Sequence, residues 1–148
     1  MMLVVGLGLA LTAAIPVERV VRKNPAAEAS SADSFAAQTW RLFELQVGPD
    51  SAPTQPNAPI TLQFDAVAGR VSGTGGCNRY FAEAVVRDRK LTISAIGATR
   101  MACPAPAMAE ESAYLAALER ATGYLVEDEV LTLTLAGGGW LRYRKLLD

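Results

Sequence analysis

No histidine occurs in the 148 residues, which removes the side chain that most often serves as general base, proton shuttle or metal ligand near neutral pH. Ser-His-Asp chemistry, Cys-His chemistry and histidine-based zinc sites are thereby excluded. Cysteine is scarce, with two in the chain, and two cannot build an ordinary four-ligand structural zinc site. Positive charge is not in excess either. Lys+Arg number 14 against 15 Asp+Glu, a formal net charge of -1, so no broad electropositive field exists for a phosphate backbone and nucleic acid is not expected as a partner. What is present is apolar material, 51% of the residues against 20% charged, which is enough for one core in a chain of single-domain length.

That material is unevenly distributed. Met1 to Ile15 reads MMLVVGLGLALTAAI, without a charged side chain, and its length suits a signal-peptide core better than a full bilayer crossing of about 20 residues. The basic residues of such a signal belong before the apolar run, yet Arg19, Arg22 and Lys23 follow it, so an uncleaved anchor and an ordinary buried segment stay open beside a cleaved leader. Thr12-Ala13-Ala14 and Ala27-Glu28-Ala29 are the small-residue cleavage sites. Residues 22–38 are rich in Ala and Ser without sustained periodicity and read as a solvated tether. The expected organisation is an apolar leader over 1–21, a linker over 22–38 and a folded domain over 39–148.

Within the domain, Ile60, Leu62 and Phe64 alternate with polar residues, as do Leu91 with Ile93 and Leu131 with Leu133 and Leu135. That is the period of half-buried strands. Trp40 to Val47 is β-prone with an ambiguous face, Val71 extends the sheet after a turn at Gly69, and the glycines 137–139 join the run 130–135 to Trp140–Arg144 as a hairpin. Residues 48–59 hold four prolines and predict a long exposed loop. One segment has helical period, with Tyr114, Leu115, Leu118 and Ala121 on one stripe. Glu110 and Glu111 fall in its expected first turn, Arg120 in its last, and Gly123 at its C-terminal cap. A lone amphipathic helix must cover something, so the expected fold is α+β, a single domain in which a twisted, mostly antiparallel sheet or half-barrel packs on one main α-helix.

Chemistry-bearing residues are few. The run Ser72-Gly73-Thr74-Gly75-Gly76-Cys77-Asn78-Arg79-Tyr80 has the glycines of a phosphate cradle without its lysine or its helix. Positive φ or close backbone approach explains the glycines better, and a tight turn explains Asn78. Asp65, Glu83 and Asp88 are the candidate acids of a hydrolase, with surface solvation the simpler reading. Thr99 and Arg100 suit turn hydrogen bonding. Cys77 or Cys103 could act as a nucleophile only if Arg79 or Arg100 stabilised the thiolate. Export would favour a disulfide between them, worth roughly 3–4 kcal/mol by chain entropy, whereas a cytosolic location would leave both reduced.

The order of these clusters resembles the META domain, or HslJ-like, family of small bacterial envelope and heat-shock-associated proteins. The resemblance spans Trp40 to Lys145 and runs through Trp40 and Leu42, Ile60 to Phe64, and Gly73 to Tyr80. It continues through Leu91, Ile93, Ile96, Thr99-Arg100-Met101-Ala102-Cys103, Glu110 or Glu111, Tyr114 and Leu118, then Leu131-Leu133-Leu135 and Leu141-Tyr143. The Gly-Cys-Asn step followed by a Thr-x-Met-x-Cys step is its specific part. Gly76, Cys77, Asn78, Tyr80, Thr99, Met101 and Cys103 are then structural motif residues. Ala82 departs from the pattern, standing where a turn after Asn-x-Tyr would often carry glycine.

The resemblance implies an exported or membrane-tethered domain with no assigned catalytic centre, cofactor or metal. By analogy it implies a binding, assembly or stress-tolerance role in the periplasm or at the membrane, with a protein or apolar ligand of the envelope as partner and residues 1–15 as a possible tether. The alternatives are a small thiol-dependent enzyme centred on Cys77 and an inhibitory module acting through loop 48–59.

Overall fold

The computed structural model describes residues 35–147; the leader and the linker up to residue 34 lie outside the described residues. The strands are β1 (Thr39–Gln46), β2 (Thr61–Asp65), β3 (Arg70–Thr74), β4 (Arg79–Arg87), β5 (Lys90–Ala98), β6 (Ala121–Glu127), β7 (Val130–Leu135) and β8 (Trp140–Lys145), with a helix α1 (Ala105–Glu119) between β5 and β6. Each pairs antiparallel with the next and β8 returns to β1, so the sheet closes into an eight-stranded barrel. This corrects the expected half-barrel packed on a main helix. Sequence reading misses β4 and β6 for a physical reason. β4 turns Tyr80, Ala82 and Ala84 inward, and alanines carry little hydrophobic signal. β6 contains Gly123 at a shift of register, where a helix cap was expected. With those two strands added, the sheet reaches the size at which a closed barrel is just filled by its own side chains.

The remaining strands follow their alternation. Leu62, Phe64, Val71, Leu91, Ile93, Leu131, Leu133, Leu141 and Tyr143 are all buried, as period-two patterning requires. β1 buries Trp40, Leu42 and Leu45 because its pairing with β8 shifts between Leu42 and Glu44. That bulge puts one extra residue into the strand and explains why its face is ambiguous in sequence. Ala82 lies inside the barrel on β4, so the position that departs from the family pattern is core and not a turn. One seam is thin: β5 meets β6 at Lys90↔Gly123, and the rest of β5 runs beside α1.

The helix differs from expectation at both ends. It begins at Ala105, capped by Pro104 with Pro106 in its first turn, and ends at Glu119, so Glu110 and Glu111 sit mid-helix and Gly123 lies in β6. Proline suits a helix start, where its missing N–H costs no bond. Arg120 is the C-cap, and its guanidinium donates to the carbonyls of Ala136 and Val47. Glu111, Tyr114, Ala117 and Leu118 are buried on the helix, closing the end of the barrel to which β3, β5 and β7 run. The opposite end is closed by Phe35, read in sequence as part of the tether. Phe35 is 0% exposed, stacks on Phe64 at 4.9 Å and on Tyr124 at 5.0 Å, and its carbonyl accepts the Trp40 indole N–H at 3.1 Å.

Three phenols tie helix to barrel. The Tyr80 hydroxyl donates to the Thr61 carbonyl at 2.8 Å, so its single proton is committed and it must accept from Tyr114, 3.0 Å away. Tyr114 in turn accepts from Tyr143 at 3.1 Å. The chain of donors therefore has one direction, and no buried side-chain polar atom among the described residues lacks a partner. Desolvation first, then the neighbouring phenol, pushes the Tyr80 and Tyr114 hydroxyls up in pKa, and burial does the same for Tyr143.

Candidate functional site

The residues singled out for chemistry meet where the turn between β3 and β4 faces α1. Glu111 is 7% exposed and reaches from the helix toward that turn. Its Oε2 accepts the backbone N–H groups of Asn78 at 2.5 Å and Cys77 at 3.1 Å, and its Oε1 accepts the Asn78 side-chain amide at 2.7 Å. Burial pushes the Glu111 carboxyl up, but the hydrogen bonds from Asn78 and Cys77 outweigh it and the pKa is lowered. Asn78 is buried as well. Its Oδ1 accepts the Met101 N–H at 2.6 Å and the Thr99 hydroxyl at 3.2 Å, while the Thr99 oxygen accepts the Arg79 N–H at 3.2 Å. Asn78 takes the expected tight-turn role, its carbonyl accepting the Gly75 N–H at 2.8 Å, and its side chain in addition bridges helix, turn and the segment after β5.

A disulfide between Cys77 and Cys103, with Cα atoms 6.1 Å apart, fastens the same turn to the start of α1. There is no free thiol among the described residues, and a half-cystine is not a nucleophile. The glycines follow from crowding. A Cβ on Gly73 would lie 2.0 Å from the Thr61 carbonyl oxygen, and one on Gly75 would lie 2.8 Å from the Glu111 carboxylate. Gly76 has φ +104, a conformation that other residues adopt at a cost. Close approach and positive φ, the readings preferred over a phosphate cradle, both occur.

The candidate acids do not converge on a cleft. Asp65 pairs in register with Arg70, and Arg70 with Glu83, so the two carboxylates flank an arginine on the outer wall. Asp65 Oδ1 accepts the N–H groups of Val67 and Ala68 at 3.0 and 2.9 Å, an Asx-type turn. Asp88 sits in the β4–β5 hairpin with φ 48. Among the described residues no group of three His, Cys, Asp or Glu is placed to hold a metal. Loop 48–59 is mostly exposed, as expected, yet it is strapped down. Thr54 bridges Leu45, the Gln46 amide donates to the carbonyls of Gly48 and Pro49, and the Asn57 N–H donates to Glu110 at 2.7 Å.

Sequence reading missed Glu111 as the centre of this arrangement because its helix was started too late. The signal that could have found it is the pair of prolines at 104 and 106, which mark an earlier helix start.

Residues 33–146 match the model of the META domain family. The chain belongs to the META domain family. No curated protein matches the sequence. The META domain described here is similar to a protein from Burkholderia xenovorans solved by NMR, at 29% identity and TM-score 0.66, over 97% of this chain and 100% of that one. A second NMR structure is 21% identical with TM-score 0.54, over 76% of this chain and 92% of that one. The crystal structure of a duf4847 family protein from Bacteroides vulgatus is 17% identical with TM-score 0.53, over 76% of this chain and 94% of that one. The last two establish likeness of fold alone.

Proposed function

We propose that this META domain is a non-catalytic binding module of the bacterial cell envelope, acting in assembly or stress tolerance. The observation that carries the reading is the use to which the motif is put. Gly75, Cys77, Asn78, Thr99, Met101, Cys103 and Glu111 are engaged with one another, which leaves them as fasteners for the helix and not as reactants. A carboxylate saturated by N–H donors and held below its usual pKa is a poor proton donor or acceptor at neutral pH. The disulfide is compatible with an oxidising, exported location, so periplasmic exposure or a membrane tether through residues 1–15 goes with the proposal.

The test is cross-linking of the oxidised protein in envelope extracts, with mapping of the footprint. Repeated recovery of one partner over a contiguous patch is the expected result. Failure to recover any partner, together with turnover of a substrate that is abolished by Cys77→Ser, would replace this reading with the thiol-enzyme alternative.

A further inference from the structure

Phe81 is the one exposed aromatic ring among the described residues, 58% open to solvent on the outer wall of β4. Ser72 of β3 and Gly97 of β5 stand in register on its two sides. The ring leans over Gly97, where a Cβ would lie 2.7 Å from both Cε2 and Cζ, so any larger residue would push it off the wall. An aromatic ring over a glycine steadies a sheet. That contact fixes the ring's position and leaves its open face unexplained.

The wall beside it is irregular. The pairing of β4 with β5 shifts between Phe81 and Glu83, and Ala95 opposite takes φ 53. A bulge re-aims the side chains next to it, and a non-glycine residue at positive φ carries strain of the kind that gathers at binding sites. Shallow clefts flank the ring. One, of about 380 Å³, is lined by Ser72, Thr74 and Arg79, and the other, of about 200 Å³, by Arg70, Glu83 and Ala95.

Charge narrows the occupant. Arg70 faces Glu83 on one side and Asp65 on the other, so around the ring two arginines, 70 and 79, meet two carboxylates, and no net field favours an ionic ligand. What remains is an apolar plate with a rim of hydroxyl, guanidinium and carboxylate groups. An aliphatic or aromatic side chain would cover the plate and leave the rim without partners. A pyranose ring suits both, since its C–H face lies on the plate while its peripheral hydroxyls donate to carboxylates and accept from guanidinium groups.

We propose that Phe81 is the stacking platform of a site for neutral oligosaccharide. One sugar ring lies on its open face, with hydroxyls directed to Ser72 and Arg79 on one flank and to Arg70 and Glu83 on the other. Gly97 sets the tilt of the platform. The inference rests on the binding-module reading and adds to it the site and the chemical class of the ligand.

The experiment is an NMR titration of the 15N-labelled oxidised protein with cellotriose, maltotriose and chitotriose. Sorbitol, which has the hydroxyls without the ring face, and N-acetylleucine amide, which is apolar without the hydroxyl rim, serve as counter-probes. Saturable shifts confined to residues 72–74, 79–83 and 95–97 are expected with at least one trisaccharide and with neither counter-probe. Phe81→Leu still covers Gly97 but has no flat ring, and should weaken binding at least about fivefold, the scale of a lost aromatic contact. Phe81→Trp should retain binding, and Gly97→Ala should weaken it while the amides of β1 and β8 stay in place. Absence of shifts at these amides with all three trisaccharides up to about 20 mM, equal shifts from the leucine probe, or unchanged affinity in Phe81→Leu overturns the proposal. None of these results touches the binding-module reading, which falls on loss of any envelope partner together with turnover dependent on Cys77. A protein partner cross-linked over Phe81 itself would overturn the sugar site and support the broader reading.

Discussion

The two ends of the barrel are closed by opposite means. At one end α1 is held by directional polar contacts, Glu111 to Cys77 and Asn78, Asn78 to Thr99 and Met101, and the disulfide. At the other, Phe35 is stacked between Phe64 and Tyr124 with one indole bond to its carbonyl. Stacking accepts any apolar group of suitable size, whereas a carboxylate that must meet three N–H donors accepts almost no substitute. A motif rich in Gly, Cys, Asn and Glu therefore marks the end of the fold that needs fixed geometry. It does not by itself mark a reaction.

Truncation should hurt both ends alike. Phe35→Ala removes a fully buried ring and is expected to cost about 3–5 kcal/mol. Glu111→Ala leaves three neutral N–H donors without their acceptor, each costing about 1–3 kcal/mol when buried and unpaired, and should cost on the order of 3–5 kcal/mol in all. Urea unfolding of the oxidised proteins measures both. Reduction of the disulfide, with a sequence separation of 26, should lower stability by roughly 3.5 kcal/mol in the chain-entropy model, read by the same unfolding curve with and without reductant.

Conservative substitutions separate the ends. Phe35→Leu keeps an apolar plug and should cost less than about 1.5 kcal/mol. Glu111→Gln keeps the shape but turns an N–H₂ group toward existing donors, and should cost about 1–3 kcal/mol. Equal tolerance of the two in thermal unfolding would break the comparison.

The smallest effect is in pH. Because the Glu111 carboxyl titrates lower in the folded state, its contribution is complete above the ordinary glutamate pKa of about 4.3 and is lost as pH falls through the folded value. Glu111→Gln should flatten the acid limb of stability against pH. The three phenols shift the other way, so their contribution is full below about pH 10 and declines above it, as the unfolded chain ionises first. Unfolding curves for wild type and Tyr114→Phe between neutral and strongly alkaline pH check that limb.

The same contrast explains what could be read from sequence. The polar end announces itself through residue types with few structural uses, so Gly76, Cys77, Asn78, Thr99 and Cys103 are recognisable as a group, though their partner Glu111 is hidden by a helix start placed too late. Phe35 sits among Ala, Ser and Asp, and nothing local distinguishes a lone aromatic in a tether from a barrel plug. Strands with large alternating side chains are legible, as β2, β5 and β7 are. β4 is not, since its inward alanines look like surface, and without β4 and β6 the sheet cannot be counted to closure. Which residues a barrel needs on its inner wall depends on the strands opposite, and that information is absent from any single segment.

The central claim is that the family motif is a fastener, and amide hydrogen exchange at Cys77 and Asn78 tests it most directly. Both amides lie in a turn between strands, where exchange would ordinarily be fast. The Glu111 bonds predict strong protection in the native protein, lost selectively in Glu111→Ala, which has no acceptor for them, while the amides of β1 and β8 keep theirs. Rapid exchange of both amides in the wild type would contradict the account.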